Sequence, residues 1–420
     1  MIGPRPAIRG QQNTADLGLI DEYHSQALDW LSALVAVDSE SPHEQAAQQL
    51  VAQIAGSEGL DVQLLDADHD GLLPQHPRFV ETGMGYESRQ NCVVRMPGRT
   101  APPLVCNAHI DTVAIGDGWS RDPSGEFRGN RFYGRGSCDT KASLVAALLA
   151  AICLDRTPTG AAFAPIEIHS VVDEEPGGNG TLGMLRALQS DRQFVRPALV
   201  VVMEPTRLDV VMGHRGMLWY RLECVGVQAH GSTNLGVNAI ELAADVVRAL
   251  RELNARLAQW PTSAYAPPRL NVGIINGGHE VYTTPGRCTL DVSVRYEPGQ
   301  RDDVASAVLD AVTSVLTPSQ LEITFCRDFE ASQTPADSPE MLAALRAVRR
   351  HRPDAQLSTL GGTCDMRHYR TEWQVPAIVF GPGDLAVAHM ADEFVELDQI
   401  FAAARILVDL AVSLGETHPA

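Results

Sequence analysis

The sequence predicts a two-domain α/β protein: a discontinuous domain with a mixed, mostly parallel sheet covered by helices, interrupted by an inserted ferredoxin-like (βαββαβ) unit. Three observations predict it. Short apolar runs alternate with helical stretches up to about residue 210; the order becomes strand–helix–strand–strand–helix–strand from about 213 to 328; and the alternating style then returns. Residues 1–212 and 329–420 are assigned to the first domain and residues 213–328 to the insertion. A chain of 420 residues also exceeds one ordinary core.

The elements follow in order. Residues 21–36 and 43–57 carry Leu28, Leu31, Leu34 and Val35, then Leu50, Val51 and Ile54, at helical spacing. VQLL, NCVVRM, LVCNA, IEIHSVV and ALVVVM read as strands, because near-continuous apolar runs of this length suit a sheet buried on both faces. KASLVAALLAAI and TLGMLRAL read as helices between them, and the polar, Gly- and Pro-rich stretch 72–90 as a long loop. In the insertion, GMLWYRLECVGV, RLNVGII, CTLDVSVRY and LEITFC are strands. NAIELAADVVRALRELNARLAQW and VASAVLDAVTSVL are its helices. LAALRAVRR, AIVFGPG and FAAARILVDLAVSL then complete the first sheet.

Bulk properties exclude several function classes. A formal charge of −19 argues against nucleic acid, whose phosphates need clustered Lys and Arg. No apolar run reads as long enough to span a bilayer, and the polar N-terminus MIGPRPAIRGQQNTADLG, a loose lead-in, has no secretory h-region. Eight scattered cysteines without a CxxC pair read as reduced thiols, so the expected compartment is the cytoplasm.

The chemistry gathers where the apolar runs stop. His109 and Asp111 follow LVCNA, Asp139 lies in GRGSCDTK, Glu174 and Glu175 follow IEIHSVVD, Glu204 follows ALVVVM, and His389 lies beyond AIVFGPG. Carboxyl ends of strands are where open α/β sheets build sites. His109 and Asp111 flank Ile110, so in an extended chain both point one way; one can ligate a metal while the other orients the imidazole. Asp139 precedes a helix, where an N-cap role is the simpler reading; within the cluster it is the candidate carboxylate to bridge two cations. Glu174 and Glu175 point to opposite sides, so one can bind metal while the other moves the proton of a water. Glu204 would be a terminal ligand and His389 the second imidazole. Two histidines and several carboxylates without thiolate favour zinc, with cobalt or manganese as substitutes. The five carboxylates supply five negative charges, of which two divalent ions would return four.

These residues, in this order, resemble peptidase family M20, nearest its acetylornithine deacetylase and succinyl-diaminopimelate desuccinylase branch. The stretches that carry the resemblance are AHIDTV, GRGSCDTK, DEEPGGNGT, MEPT, HRG with GVQAHGS, GGTCDMRHY and FGPGDLAVAHMADEFV, and they span about residues 28 to 412. The resemblance implies a zinc-hydrolase domain and an inserted lid and dimerisation domain. His109 and Glu204 would hold one zinc, Glu175 and His389 the other, with Asp139 bridging. Asp111 would support His109, and Glu174 would be the general base. It further implies that His230, in QAHGS, reaches a neighbouring subunit's active site in a homodimer. Among substrate-binding positions, Arg295 resembles the family's lid arginine, and Gly362, Thr363 and Arg367 resemble the loop that holds the substrate's carboxylate, a task to which Arg is suited. In two places the sequence departs from the family. Tyr282 stands in GGHEVYTTP where relatives carry Asn, and Thr140 and Ala142 replace the usual Met and Gly.

The implied activity is dizinc-dependent removal of an acetyl- or succinyl-like group from a small N-acyl amino acid or related amine. A metallo-dipeptidase or carboxypeptidase on the same scaffold is the alternative, and the GPGDLAVAHMADEF segment favours the deacylase. A non-catalytic binding protein on this fold would be expected to have lost a ligand or the base, yet all seven positions are filled.

Overall fold

The computed structural model describes residues 17–157, 162–192 and 194–417. The lead-in read at the N-terminus lies outside them up to residue 16. Nine strands form the large sheet, in the order Asp61–Asp66, Gln90–Arg95, Ile166–Val171, Leu104–His109, Leu199–Val202, Ala377–Val379, Val210–His214, Ser332–Gln333, with Leu357–Leu360 also paired to Val210–His214. The four strands from Ile166–Val171 to Ala377–Val379 run parallel, and both flanks include antiparallel pairs. His109 lies opposite Val171, Asn107 opposite Val202 and Val202 opposite Val379, so these strands finish close together along one edge.

Both faces of the sheet are buried, which is why its strands read as continuous apolar runs. Leu104, Cys106 and Ala108 enter one core with Ile168 and Val201, while Val105, Val171, Val200 and Val202 enter the other with Met184, Tyr369 and Trp373. Full burial of such a Val or Leu side chain contributes roughly 1.5–3 kcal/mol. Helices His24–Ala36, Ala142–Asp155 and Leu397–Thr417 share the first core, and Asn179–Ser190 packs in the second.

The stretch Ser137–Asp155 corrects one expectation: its 19 residues, with a mean hydropathy of 1.6, reach the length and polarity of a membrane span. All of it but the last residue, Asp155, is nevertheless buried inside the fold. Asp139 (φ −117°, ψ 89°) and Thr140 (φ −132°, ψ 30°) interrupt it, and the regular helix Ala142–Asp155 has 14 residues. At 1.5 Å per residue that is short of a hydrocarbon core about 30 Å thick.

The insertion forms a four-stranded antiparallel sheet, in the order Arg269–Gly277, Arg287–Tyr296, Gly216–Val225, Leu321–Phe329. Helices Ala239–Leu257 and Arg301–Thr313 cover one face, as the ferredoxin-like order requires. Residues alternate between buried and less buried along Gly216–Val225, with Leu218, Leu222 and Val292 packed against Leu250 and Val308. Asn238 starts the longer helix by accepting the Ile240 amide, as a side-chain cap should.

Some elements escaped the pattern reading. Val210–His214, Ser332–Gln333 and Leu357–Leu360 extend the large sheet, and Glu126–Arg128, Arg131–Tyr133 and Phe394–Glu396 form a small three-stranded sheet. All are five residues or shorter, too brief for a periodic signal. The loop 72–90 holds one helical turn, Leu73–Gln75.

Candidate metal centre

The ends of the parallel strands, the turn that holds Asp139 and the loop that holds His389 bring the seven candidate residues together. Ligand atoms of His109, Asp139 and Glu175 lie within 4.8 Å of one another, and so do those of His109, Glu174 and Glu204. His389 joins through its Nε2, 2.9 Å from Glu175 Oε1 and 3.2 Å from Asp139 Oδ2. The other Asp139 oxygen, Oδ1, is 3.0 Å from His109 Nε2. Asp139 therefore offers one oxygen to each imidazole.

The local structure explains these positions. Asp139 does not cap the following helix through its side chain. Its backbone is non-helical, and its amide donates to Glu393 Oε1 at 3.2 Å. Thr140 Oγ1 donates to the His109 carbonyl at 2.9 Å, tying this turn to the strand end. His109 Nδ1 pairs at 2.9 Å with the backbone carbonyl of Asp111, whose carboxylate Oδ1 stands 3.6 Å away. The Asp111 carboxylate also accepts the amides of Glu174 and Glu175, both at 3.1 Å. It thereby holds the turn that sends Glu175 toward His389 and leaves Glu174 beside Glu204. Asp173 begins that turn at φ +64° and is anchored by Arg89 at 2.8 Å and Tyr86 at 2.8 Å.

The electrostatics show what such a site demands. Burial pushes Asp111 up to about 7, and burial with the nearby Asp139 pushes Glu204 up to about 8. Burial, Glu204 and Asp365 raise Glu174 well above the usual carboxylate range. Asp139 and Glu175 raise His389 to about 10, and Asp139 raises His109 despite a burial that works the other way. Buried carboxylates at this density call for cations, because an unpaired buried charge is expensive. Imidazole nitrogens and carboxylate oxygens converging without thiolate are the donor set of zinc, cobalt or manganese. The two groupings are geometrically compatible with a dinuclear site of this kind.

The remaining expected site residues occupy four places. Arg295 lies on the strand Arg287–Tyr296; its Nη1 is buried with no hydrogen-bond partner among the described residues, and burial with the nearby Arg215 lowers its pKa. Gly362 and Thr363 are half-buried in the loop after Leu357–Leu360, with open space where a Gly362 side chain would stand. Arg367 is buried, donates to the Gly177 carbonyl at 2.6 Å and stacks 5.0 Å over Phe329. An added Cβ at Gly178 would meet Arg367 Nη2 at 2.6 Å, which explains a glycine there at φ +72°. His230 and Tyr282 share an exposed corner of the insertion: His230 pairs with Thr283 across two short strands, and the Gly231 amide donates to the Tyr282 carbonyl at 2.8 Å. The His230 ring is met by Ser232 Oγ at 2.8 Å.

Sequence reasoning assigned no role to His214 or Arg215, although both lie in the quoted HRG. His214 is buried, its Nε2 has no partner among the described residues, and burial with the charges of Arg367 and Arg295 lowers it to about 4. Arg215 reaches the carbonyls of Gly361 (3.2 Å) and Pro267 (3.3 Å). Two adjacent basic residues without a neighbouring acid in the sequence were the signal available.

The sequence model of peptidase family M20/M25/M40 matches residues 105–413. A probable carboxypeptidase of Ajellomyces capsulatus is 28% identical over 433 residues, covering 97% of this chain and 92% of that protein. An acetylornithine deacetylase of Vibrio atlanticus is 30% identical over 338 residues, covering 77% of this chain and 85% of that protein. Among solved structures, a tripeptidase from Staphylococcus aureus shares the fold, with a TM-score of 0.73 and 19% identity over 94% of this chain and 99% of that one.

Proposed function

The chain belongs to peptidase family M20/M25/M40, and from that membership we propose that it is a dizinc amidohydrolase removing an acetyl- or succinyl-like group from an amino acid or related amine. The observation that carries the reading is Asp139, one oxygen toward His109 and the other toward His389, with Glu204 and Glu175 beside them. His109 and Glu204 would hold one ion, Glu175 and His389 the other, and Asp139 both. When bound, such ions polarise the scissile carbonyl and lower the pKa of a water.

The chain's own groups supply the rest. Glu174, beside His109 and Glu204, accepts the proton of the attacking water and returns it to the leaving amine. Asp111 keeps Glu174 and Glu175 on their separate tasks by holding both amides. His230 of a second copy donates to the developing oxyanion. In support of a homodimer, His230 and Tyr282 are exposed, and the edge strand Arg269–Gly277 leaves Ile274 and Ile275 about half exposed.

The substrate carries a carboxylate. Arg295, Gly362, Thr363 and Arg367 receive it, Arg215 adds a further charge, and the uncharged His214 lies beside them; among the described residues Arg295 Nη1 and His214 Nε2 have no protein partner. Tyr282, in place of an amide side chain, shapes the part of the substrate facing the insertion. The eight cysteines, seven of them buried, suit the cytoplasm.

A second reading, a metallo-carboxypeptidase or dipeptidase, is favoured by one observation: the probable carboxypeptidase matches 97% of the chain. Assaying zinc-loaded protein on N-acetyl and N-succinyl amino acids against dipeptides tests both. Preference for the N-acyl amino acids supports the deacylase, and turnover of dipeptides alone overturns it.

A further inference from the structure

Two of the segments that carry the proposed ligands are tied by a side chain outside the ligand set. Glu393 lies in the same loop as His389 and is 1% exposed. Its Oε1 accepts the amides of Cys138 (3.0 Å) and Asp139 (3.2 Å), and its Oε2 accepts Arg135 Nη1 at 2.5 Å. Its main-chain carbonyl accepts the Gly134 amide at 3.0 Å. Arg135, 6% exposed, also donates to the Ile115 carbonyl at 3.2 Å and lies 5.3 Å over Trp119. The neighbouring Asp392 accepts the amides of Ser120 (2.8 Å) and Arg121 (2.9 Å). Residues 115–121, 134–139 and 389–393 are thus laced into one unit.

Neither ligand in that unit is placed by regular structure. Asp139 has φ −117° and ψ 89°, so no helical hydrogen-bond pattern fixes its amide. His389 sits in a loop at φ +63° with its side chain 49% exposed. Resting on the ligand assignment above, we propose that Glu393, held by Arg135, is a positioning residue that sets the bridging carboxylate Asp139 and the imidazole His389 at the separation two ions require. The residue must be an ionised carboxylate. One oxygen faces two N–H donors and the other a guanidinium, so a carboxamide would turn its own NH₂ toward a donor on one side or the other.

Zinc titration of chelator-treated protein by calorimetry, with parallel melting curves of the metal-free forms, tests this. Wild type binds two zinc ions. Glu393→Gln binds one ion roughly 10–100-fold more weakly, the range expected when a group orienting a ligand is lost. Its metal-free melting temperature stays near wild type. Glu396→Gln, which removes an exposed partner of Arg131 from the same segment, leaves both zinc constants unchanged. If Glu393→Gln does not fold, Arg135→Lys decides: it keeps the charge but loses the fork, and a smaller loss of zinc affinity supports the proposal. Wild-type zinc constants in Glu393→Gln, or in Arg135→Lys where that variant decides, would overturn it. So would a drop in metal-free melting temperature with no change in zinc affinity. A wild-type protein that binds fewer than two ions instead overturns the ligand assignment beneath the proposal.

Discussion

His389 Nε2 and Glu175 Oε1 lie 2.9 Å apart across 214 residues of chain. The whole four-stranded insertion runs between them, so this contact forms only when the returning segment docks Ala377–Val379 beside Leu199–Val202. A pair that closes so late in the chain ties the site to the assembled fold.

Metal binding should therefore stabilise the protein. A ligand that binds only the native state adds about 2.7 kcal/mol at a concentration 100 times its Kd. Zinc added to chelator-treated protein should raise the melting temperature, and His389→Ala should shrink the rise. An unchanged melting temperature on adding zinc would argue against a site assembled across the two segments.

Glu174→Gln should retain two ions per chain and lose turnover by roughly 10²–10⁴-fold, the usual contribution of a general base. Metal content by mass spectrometry and kcat on the best N-acyl substrate check it. Wild-type kcat in this variant would remove Glu174 from the base role.

Arg295→Ala should act on binding. Its unpartnered Nη1 leaves a charge-assisted hydrogen bond, worth about 1.5–3 kcal/mol, for the substrate to satisfy. Expressed through KM, that is roughly 10–150-fold. Steady-state kinetics should show the rise in KM for a carboxylate-bearing substrate and little change for its neutral amide analogue.

Gly180→Ala should destabilise the chain, because the new Cβ would lie 1.9 Å from the Val172 carbonyl oxygen, just before the Asp173–Glu175 turn. Overpacking of this kind costs about 1–3 kcal/mol. Gly273→Ala, whose nearest contact is 3.5 Å, should stay within about 0.5 kcal/mol of wild type. Denaturant midpoints compare the two.

If His230 acts across a dimer, Glu174→Gln and His230→Ala should each be nearly inactive alone and regain activity when mixed. Exchange of subunits builds one site with both native residues. No recovery in mixtures shown to exchange subunits would restrict His230 to its own chain.

The strand ends were legible in the sequence for a physical reason. Parallel strands buried on both faces read as apolar runs, and the residue after each run is delivered to the shared edge. LVCNA leading to His109 and ALVVVM leading to Glu204 are such cases. The job of Asp111 was less legible: its carboxylate serves the amides of Glu174 and Glu175, a relation between two loops that no spacing encodes. Glu393 stood within the recognised FGPGDLAVAHMADEFV without a role, since its partners Arg135 and Cys138 lie 258 and 255 residues away in sequence. The strand Val210–His214 escaped notice because Gly and His end a run of only three apolar residues. With it went His214, whose bare Nε2 is visible only in three dimensions.

Amide hydrolysis by this protein should depend on two ions held by the cluster around His109, Asp139 and His389. Hydrolysis of N-acyl amino acids and dipeptides, followed while zinc is returned stepwise to fully chelated protein, measures that dependence. No turnover is expected without metal, and activity should reach its plateau at two equivalents per chain. Full turnover in the metal-free protein would contradict it, as would two bound equivalents with no hydrolysis of any such amide.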